Sequence, residues 1–157
     1  MTTIVEKKAN SNSIPHITCA VITQGNIMGE KERSNRLKEL DEDIERGWVD
    51  KEIIPYLERI NKFPFLVTTQ SCCGHNEDRD GRRAHVDFRS MLNEANTINK
   101  ILRPFAEKRN PPDVGIELMI EPYGIRYIIW MRNDRWQNQL EDFIKTLDDY
   151  NGVKRDG

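Results

Sequence analysis

Two thiols, a hydroxyl, an imidazole and a glycine follow one another directly after a predicted β-strand. The aromatic and β-branched run 65–70 predicts the strand, and the motif S-C-C-G-H at Ser71–His75 comes immediately after it. Two of the three cysteines and two of the three histidines, His75 and His85, lie in this short part of the chain. Loops that rigid strands hold in place often carry binding and catalytic residues. We therefore expect the functional site at this loop.

Three kinds of chemistry fit the residue types of the loop. Gly74 permits backbone angles that a side chain would forbid, so N–H groups of the loop could bind a carboxylate or a phosphate. A cysteine whose thiol pKa is lowered by a neighbouring cation would be a nucleophile. Zinc is the third option, because thiolates and imidazoles are its usual ligands. The alternative without a function is a turn whose cysteines are small buried hydrophobes.

The spacing of the cysteines is unfavourable for zinc. Neighbouring cysteines rarely bind one ion together, and the chain has no C-x-x-C pair. The residues that a zinc site would have to combine are Cys72, His75, His85 and Cys19. We therefore assign no metal ligand.

The segment 83–89 alternates between apolar and polar residues, which predicts a second strand with one polar face. His85, Asp87 and Arg89 share that face. An imidazole and a carboxylate two positions apart can form an acid/base or substrate-binding pair. An ordinary solvated sheet face is the alternative.

Four arginines surround the loop and could contact the phosphates of RNA. They are Arg79, Arg82, Arg83 and Arg89. Acidic residues are interleaved with them, which favours a charge-mixed solvated loop as the alternative. Among the three tryptophans, Trp136 is expected in the core, and Trp130 is the better candidate for contacting a ligand.

Composition restricts the class of protein. The chain has 157 residues, 32% of them charged and 37% hydrophobic, with a net charge of −2. We expect one domain without a global attraction to nucleic acid or membrane. No apolar run is long enough to span a bilayer and no secretory signal is recognisable, so a cytoplasmic location with reduced thiols is expected.

The hydrophobic periodicity predicts an α+β domain over residues 31–152, after a mobile N-terminal arm and short strand in residues 1–30. The expected element order is α-α-β-β-α-β-β-α, a largely antiparallel sheet with helices packed mainly on one face. The predicted elements are helices at 34–46, 91–108 and 134–150, and strands at 65–70, 83–89, 114–121 and 124–132. A second helix follows a plausible N-cap at Asp50 and carries Ile53, Ile54, Leu57 and Ile60. Pro55 requires that this helix either start near Ile54, with the proline in its first turn, or be kinked. In the last hairpin, a two-residue loop at Pro122-Tyr123 sets Ile116 opposite Ile129 and Met119 opposite Arg126.

The segment 34–75 resembles the front part of the tRNA wybutosine-synthesising protein 3 family. That family carries a helix ending in glycine, a Val-Asp-x-x-Ile-x-Pro-x-Leu-x-x-Ile-Asn helix, and a strand leading into Thr-Thr-Ser-Ser-Cys-Ser-Gly-Arg. This chain has the corresponding residues at Gly47, Val49–Asn61 and Thr68–His75. It departs from the family pattern at Cys73, which replaces a serine, and at His75, which replaces the arginine.

The resemblance implies the wybutosine-methyltransferase-like fold and an S-adenosylmethionine-dependent methyltransferase acting on a nitrogen of a tricyclic tRNA base. The alternative is a non-catalytic relative that binds a metal or nucleic acid. Under the first interpretation, the cofactor-binding residues are Ser71, Cys72, Cys73 and Gly74. Those that orient the substrate or remove a proton are His75, His85 and Asp87. Those that contact the tRNA are Arg79, Arg82, Arg83 and Arg89.

Overall fold

A computed structural model of the chain describes residues 28–74, 83–108 and 113–155. Five α-helices occur in these ranges: α1 Glu30–Glu45, α2 Ile54–Ile60, α3 Glu94–Thr97, α4 Arg103–Glu107 and α5 Trp136–Arg155. A π-helical turn at Ile98–Leu102 joins α3 to α4. The four strands are β1 Leu66–Cys72, β2 His85–Ser90, β3 Gly115–Glu121 and β4 Gly124–Trp130. The predicted arm and short strand in residues 1–30 lie outside the described residues, apart from the last three positions.

The four strands form one antiparallel sheet in the order β1-β2-β4-β3. The predicted hairpin register is confirmed, because Ile116 pairs with Ile129 and Met119 with Arg126. β1 contains an irregularity between Thr68 and Gln70, after which Cys72 pairs with His85. The α+β fold class is confirmed, and the loop that follows β1 leaves the sheet directly beside the first residue of β2.

One face of the sheet packs on the helices and forms the hydrophobic core. The strands contribute alternate residues, including Phe88, Tyr127 and Ile129, and α5 contributes the predicted stripe that contains Leu140 and Phe143. Phe88 and Phe143 have ring centroids 5.6 Å apart. Burial of such side chains removes apolar area from water and is the main stabilising contribution of the domain.

The helix predicted at 91–108 is observed, with two differences. It begins at Glu94, because the Asn93 side chain accepts a hydrogen bond from the backbone N–H of Asn96 and so caps the helix. Its middle is π-helical, and the N–H of Arg103 donates to the carbonyl of Ile98. This wider turn comes immediately before Pro104, which has no N–H to donate. Pro55 lies in the first turn of α2, one of the two positions that its sequence context allows.

The second face of the sheet is polar and less open than the sequence indicates. Asp87 and Arg89 point to this face, yet their relative exposures are only 2% and 3%. Glu32 of α1 and the backbone carbonyl of Tyr123 contact the Arg89 guanidinium. α1 itself contacts β1, and Arg33 fixes it there by donating to the Leu66 carbonyl at 3.0 Å. Within the described ranges, no helix is both long and apolar enough to cross a membrane.

Candidate functional site

His85 and Asp87 form the centre of the polar face of β2. The nitrogen Nε2 of His85 lies 3.9 Å from Oδ1 of Asp87, and that oxygen is buried without a hydrogen-bond partner. Nδ1 of His85 lies 3.1 Å from the carbonyl oxygen of Arg83. A carbonyl can only accept, so Nδ1 carries the proton and Nε2 faces the carboxylate with its lone pair. The pair is therefore arranged to take up one proton between the two side chains.

Burial raises the pKa of the Asp87 carboxyl, whereas His85 and Arg126 act in the opposite direction. Nη1 of Arg126 donates to Asp87 Oδ2 and to Gln70 Oε1, each at 3.0 Å. Nε of the same guanidinium lies 3.1 Å from Glu121 Oε1. One arginine thus holds the second oxygen of Asp87 and leaves the first oxygen to His85.

The pairing of β2 with β4 positions an aromatic ring beside His85. Trp130 pairs with His85 across the two strands, and the two ring centroids are 4.9 Å apart. The indole N–H of Trp130 donates to Glu117 Oε2 at 2.9 Å. The imidazole therefore rests on a fixed ring, and its orientation is restricted.

Asp50 holds the start of the cysteine loop. Its Oδ2 accepts from the Cys73 backbone N–H at 3.1 Å and from the Cys73 thiol at 3.3 Å. Burial, and then this carboxylate, raise the pKa of the Cys73 thiol to about 12. The N–H of Gly74 donates to Cys72 Sγ at 3.4 Å. These two N–H groups are therefore already engaged, and Cys73 lies beside an anion that opposes formation of the thiolate.

Gly74 allows the loop to pass close to the turn after β4. Its φ is +80°, and a Cβ at this position would lie 2.2 Å from Asn133 Oδ1. That oxygen accepts a hydrogen bond of 2.8 Å from the backbone N–H of the buried Ala84. Gly74, Asn133 and Ala84 thus connect the end of β1, the turn before α5 and the beginning of β2.

A cleft of about 230 Å³ opens between the C-terminal end of α1 and the edge strand β1. Thr69 contributes a hydroxyl that is buried without a hydrogen-bond partner, and Trp48 contributes an exposed ring. The described residues that line it are Leu40, Asp43, Trp48, Val49, Leu57, Thr68, Thr69, Gln70, Ser71 and His85. The cleft therefore combines apolar walls with hydroxyl, amide, carboxylate and imidazole groups, the usual composition of a binding site.

The structure brings some of the predicted site residues together and separates others. Ser71 and His85 share the cleft, and Asp87 lies directly behind His85. Cys72 is buried at the end of β1 and Cys73 is the first residue of the loop, and neither lines the cleft. Arg83 is exposed at the start of β2.

Arg89 differs most from its predicted role. Its guanidinium is bound within the protein by Glu32 and the Tyr123 carbonyl, so it does not face solvent, where a phosphate would bind. The remaining predicted residues, His75, Arg79 and Arg82, lie outside the described residues.

Several residues of the site were not predicted. Gln70 and Arg126 complete the surroundings of Asp87, while Thr69 and Asp43 line the cleft. The register of the last hairpin correctly assigned Arg126 to the polar face, but its contact with Asp87 depends on β4 pairing with β2. In the segments that the structure describes, no three His, Cys, Asp or Glu residues are close enough together to hold a metal ion. The zinc set considered from the sequence has two members, Cys19 and His75, outside these segments.

We expect Asp87→Asn to remove one component of the pH dependence of stability. Because burial raises the folded-state pKa of Asp87, the folded protein retains this proton at pH values where the unfolded chain has released it. The stabilisation that this retained proton adds to the free energy of unfolding is complete below the carboxyl pKa of the unfolded chain, about 3.9. It is lost as pH rises through the pKa of the folded state. Urea unfolding measured across this range should therefore show a smaller decrease in free energy for Asp87→Asn than for the wild type.

The matched control is Asp149→Asn. Asp149 pairs with Lys108 at 3.1 Å on the exposed surface, and its replacement should preserve the pH dependence of the wild type. Parallel curves for the wild type and Asp87→Asn would contradict the expectation.

Comparisons with known proteins agree with this architecture. The family model for methyltransferase TYW3 matches residues 31–76. No curated protein matches the chain. The solved structure of the PH1069 protein from Pyrococcus horikoshii is similar with a TM-score of 0.50 and 14% identity, and the alignment covers 83% of this chain and 98% of that chain. At that identity the likeness concerns the fold alone. The predicted resemblance to this methyltransferase family is therefore confirmed over residues 31–76.

Proposed function

We propose that this chain is a cytoplasmic S-adenosylmethionine-dependent methyltransferase that modifies a nitrogen of a tricyclic base in tRNA. One observation carries the proposal. Of the ten described residues that line the cleft, nine lie within the segment that matches the methyltransferase family, and His85 is the tenth. The part of the chain that resembles the family is therefore the part that builds the candidate site.

The residues of the cleft fit the proposed cofactor. S-adenosylmethionine, when bound, supplies an electrophilic methyl group on a positively charged sulfur. The Ser71 hydroxyl suits its polar groups, and the Asp43 carboxylate suits its positive charge. The volume of about 230 Å³ is below the 300–1,000 Å³ typical of sites that enclose a whole ligand of this size. The described walls would thus enclose only part of the cofactor.

The predicted cofactor loop supports this site mainly by its conformation. Ser71 reaches the cleft, whereas Cys72, Cys73 and Gly74 hold the chain in position after it. We propose that these three residues fix the end of β1 beside His85, so that the Ser71 hydroxyl has a defined orientation. Orientation is the main contribution a protein can make to a transfer between two bound molecules.

His85 is the proposed proton acceptor. A ring nitrogen that gains a methyl group must lose its proton, and the His85–Asp87 pair, whose imidazole belongs to a residue that lines the cleft, can take up one proton between the two side chains. Asp87, behind it, would stabilise the imidazolium that forms. Arg126 keeps the carboxylate oriented by holding its other oxygen.

Arg83 is proposed to contact the tRNA, because it is exposed and lies two residues before His85 in the sequence. Arg79 and Arg82 stay in the proposal as tRNA contacts that the sequence predicts. His75 stays as a residue predicted to orient the substrate or remove a proton. Arg89 is omitted, because its guanidinium is already paired inside the protein.

The proposal predicts stoichiometric transfer of one methyl group from S-adenosylmethionine to tRNA that carries the tricyclic base. The measurement uses cofactor with a tritiated methyl group, followed by digestion of the tRNA to nucleosides and mass spectrometry. The matched control is the same tRNA with an unmodified base, which should accept no label. Binding of tRNA without transfer, together with no heat of cofactor binding in calorimetry, would contradict the proposal and support a non-catalytic relative.

A further inference from the structure

The side chain of Trp48 is exposed to solvent at the opening of the cleft. Its relative exposure is 71%, whereas Trp136 is buried in the core at 8%. Trp48 lines the cleft together with Asp43, Thr69, Gln70, Ser71 and His85. An exposed indole beside a polar cleft is a surface on which a flat ring can stack.

The backbone that carries Trp48 is fixed. Gly47 has φ +73°, and its N–H donates to the Ile44 carbonyl, while the N–H of Trp48 donates to the Asp43 carbonyl at 2.9 Å. These two bonds form the Schellman motif that ends α1. The turn therefore holds Trp48 next to Asp43, which also lines the cleft.

A cation accompanies the exposed ring. The guanidinium carbon of Arg46 lies 4.9 Å from the centroid of the Trp48 ring, in a cation–π contact. Its Nη2 also lies 3.5 Å from Glu42, in a solvent-exposed ion pair that water and salt weaken. A phosphate attached to a ring on Trp48 would find this guanidinium within reach of the same turn.

The cleft behind Trp48 offers hydrogen bonds to the edge of such a ring. The Thr69 hydroxyl is buried without a partner, and Thr69 lines the cleft together with Trp48. The volume of about 230 Å³ is too small to enclose a whole dinucleotide-sized ligand, yet one planar ring system can enter it from the open side. The ring would stack on the Trp48 indole and its edge would be bound by the Thr69 hydroxyl, as nucleobases in single-stranded RNA are bound by stacking and by hydrogen bonds to their edges.

We propose that Trp48 is the stacking platform for the base that is modified, and that Arg46 beside it contacts the phosphate backbone. This inference rests on the proposed function, because it takes the ring to be a nucleobase of the RNA substrate. The adenine of the cofactor is the other source of such a ring, and the test separates the two.

The probe for this site is 1,N6-ethenoadenosine 5′-monophosphate, a fluorescent nucleotide whose base is tricyclic. Fluorescence anisotropy should show it binding to the wild-type protein. Trp48→Ala should raise Kd by about 5- to 150-fold, the loss expected for one stacked base, and Trp48→Phe should restore most of the affinity. Tyr123→Ala is the matched control and should leave Kd within about twofold, because this exposed aromatic ring does not line the cleft.

Two results would overturn the inference. One is an unchanged Kd in Trp48→Ala. The other is competitive displacement of the probe by S-adenosylhomocysteine, which would assign the platform to the cofactor adenine. If the wild type transfers methyl groups and Trp48→Ala leaves KM for tRNA unchanged, the inference fails while the proposed function holds. If Trp48→Ala weakens probe binding and the wild type transfers no methyl group, the proposed function fails while the platform for a nucleobase stands.

Discussion

The His85→Phe variant is expected to transfer methyl groups about 100- to 10,000-fold more slowly than the wild type, the range that general-base catalysis contributes. Phenylalanine can keep the ring contact with Trp130, whose centroid lies 4.9 Å from that of His85, but it cannot accept a proton. The expected loss lies in kcat, measured with saturating cofactor and tRNA, because the change removes a proton acceptor and leaves the hydroxyl groups of the cleft in place.

Two controls separate a chemical role of His85 from a structural one. His85→Ala should regain part of its activity when imidazole is added to the assay, because free imidazole can take the proton in the space that the side chain leaves. The thermal unfolding midpoint of His85→Phe should remain close to that of the wild type. A kcat for His85→Phe within threefold of the wild type would remove His85 from the proposed mechanism.

Gly74→Ala is expected to lower the free energy of unfolding by about 2–5 kcal/mol. An alanine at φ +80° costs about 1–2 kcal/mol in backbone strain. Its Cβ would also lie 2.2 Å from Asn133 Oδ1 and displace that oxygen. The buried N–H of Ala84 would then lose its acceptor, at a further cost of about 1–3 kcal/mol. Urea denaturation followed by circular dichroism measures the sum.

Gly47→Ala is the matched control for the free-energy cost of backbone strain. Gly47 has φ +73°, but a Cβ there would meet no atom within 4 Å, so only the strain of about 1–2 kcal/mol is expected. In an Asn133→Ala background, Gly74→Ala should likewise cost only the strain, because the clashing atom is gone. A double-mutant cycle that shows no coupling between Gly74 and Asn133 would refute the steric explanation.

The sheet is the part of the fold that the sequence predicts best. The alternation in both strands of the last hairpin, with a two-residue turn, leaves only one register that keeps Arg126 out of the core. That register was therefore predictable. The same period of two assigned His85, Asp87 and Arg89 to one polar face. The helical stripe of α5 was predictable too, because its apolar spacing extends over many turns.

The partners of the polar residues could not be predicted in the same way. Arg89 has the sequence context of a phosphate contact, yet Glu32, far away in the chain, binds it. Cys73 has the context of a reactive thiol, yet Asp50 accepts its hydrogen bond and opposes ionisation. In both cases the deciding group lies on a remote element, and local spacing contains no information about it.

The pattern of apolar and polar residues was enough to predict which segments are helices and strands and which side of each strand is polar. The position of the cysteine loop beside His85 and of β4 next to β2, where Arg126 contacts Asp87 and Trp130 contacts His85, became visible only in the folded chain. The tertiary structure also decided that α1 lies against β1 and forms the cleft with Trp48 at its opening. The physical reason is that periodicity reports which side of an element is buried, whereas the neighbour that buries it is selected by the packing of the whole chain.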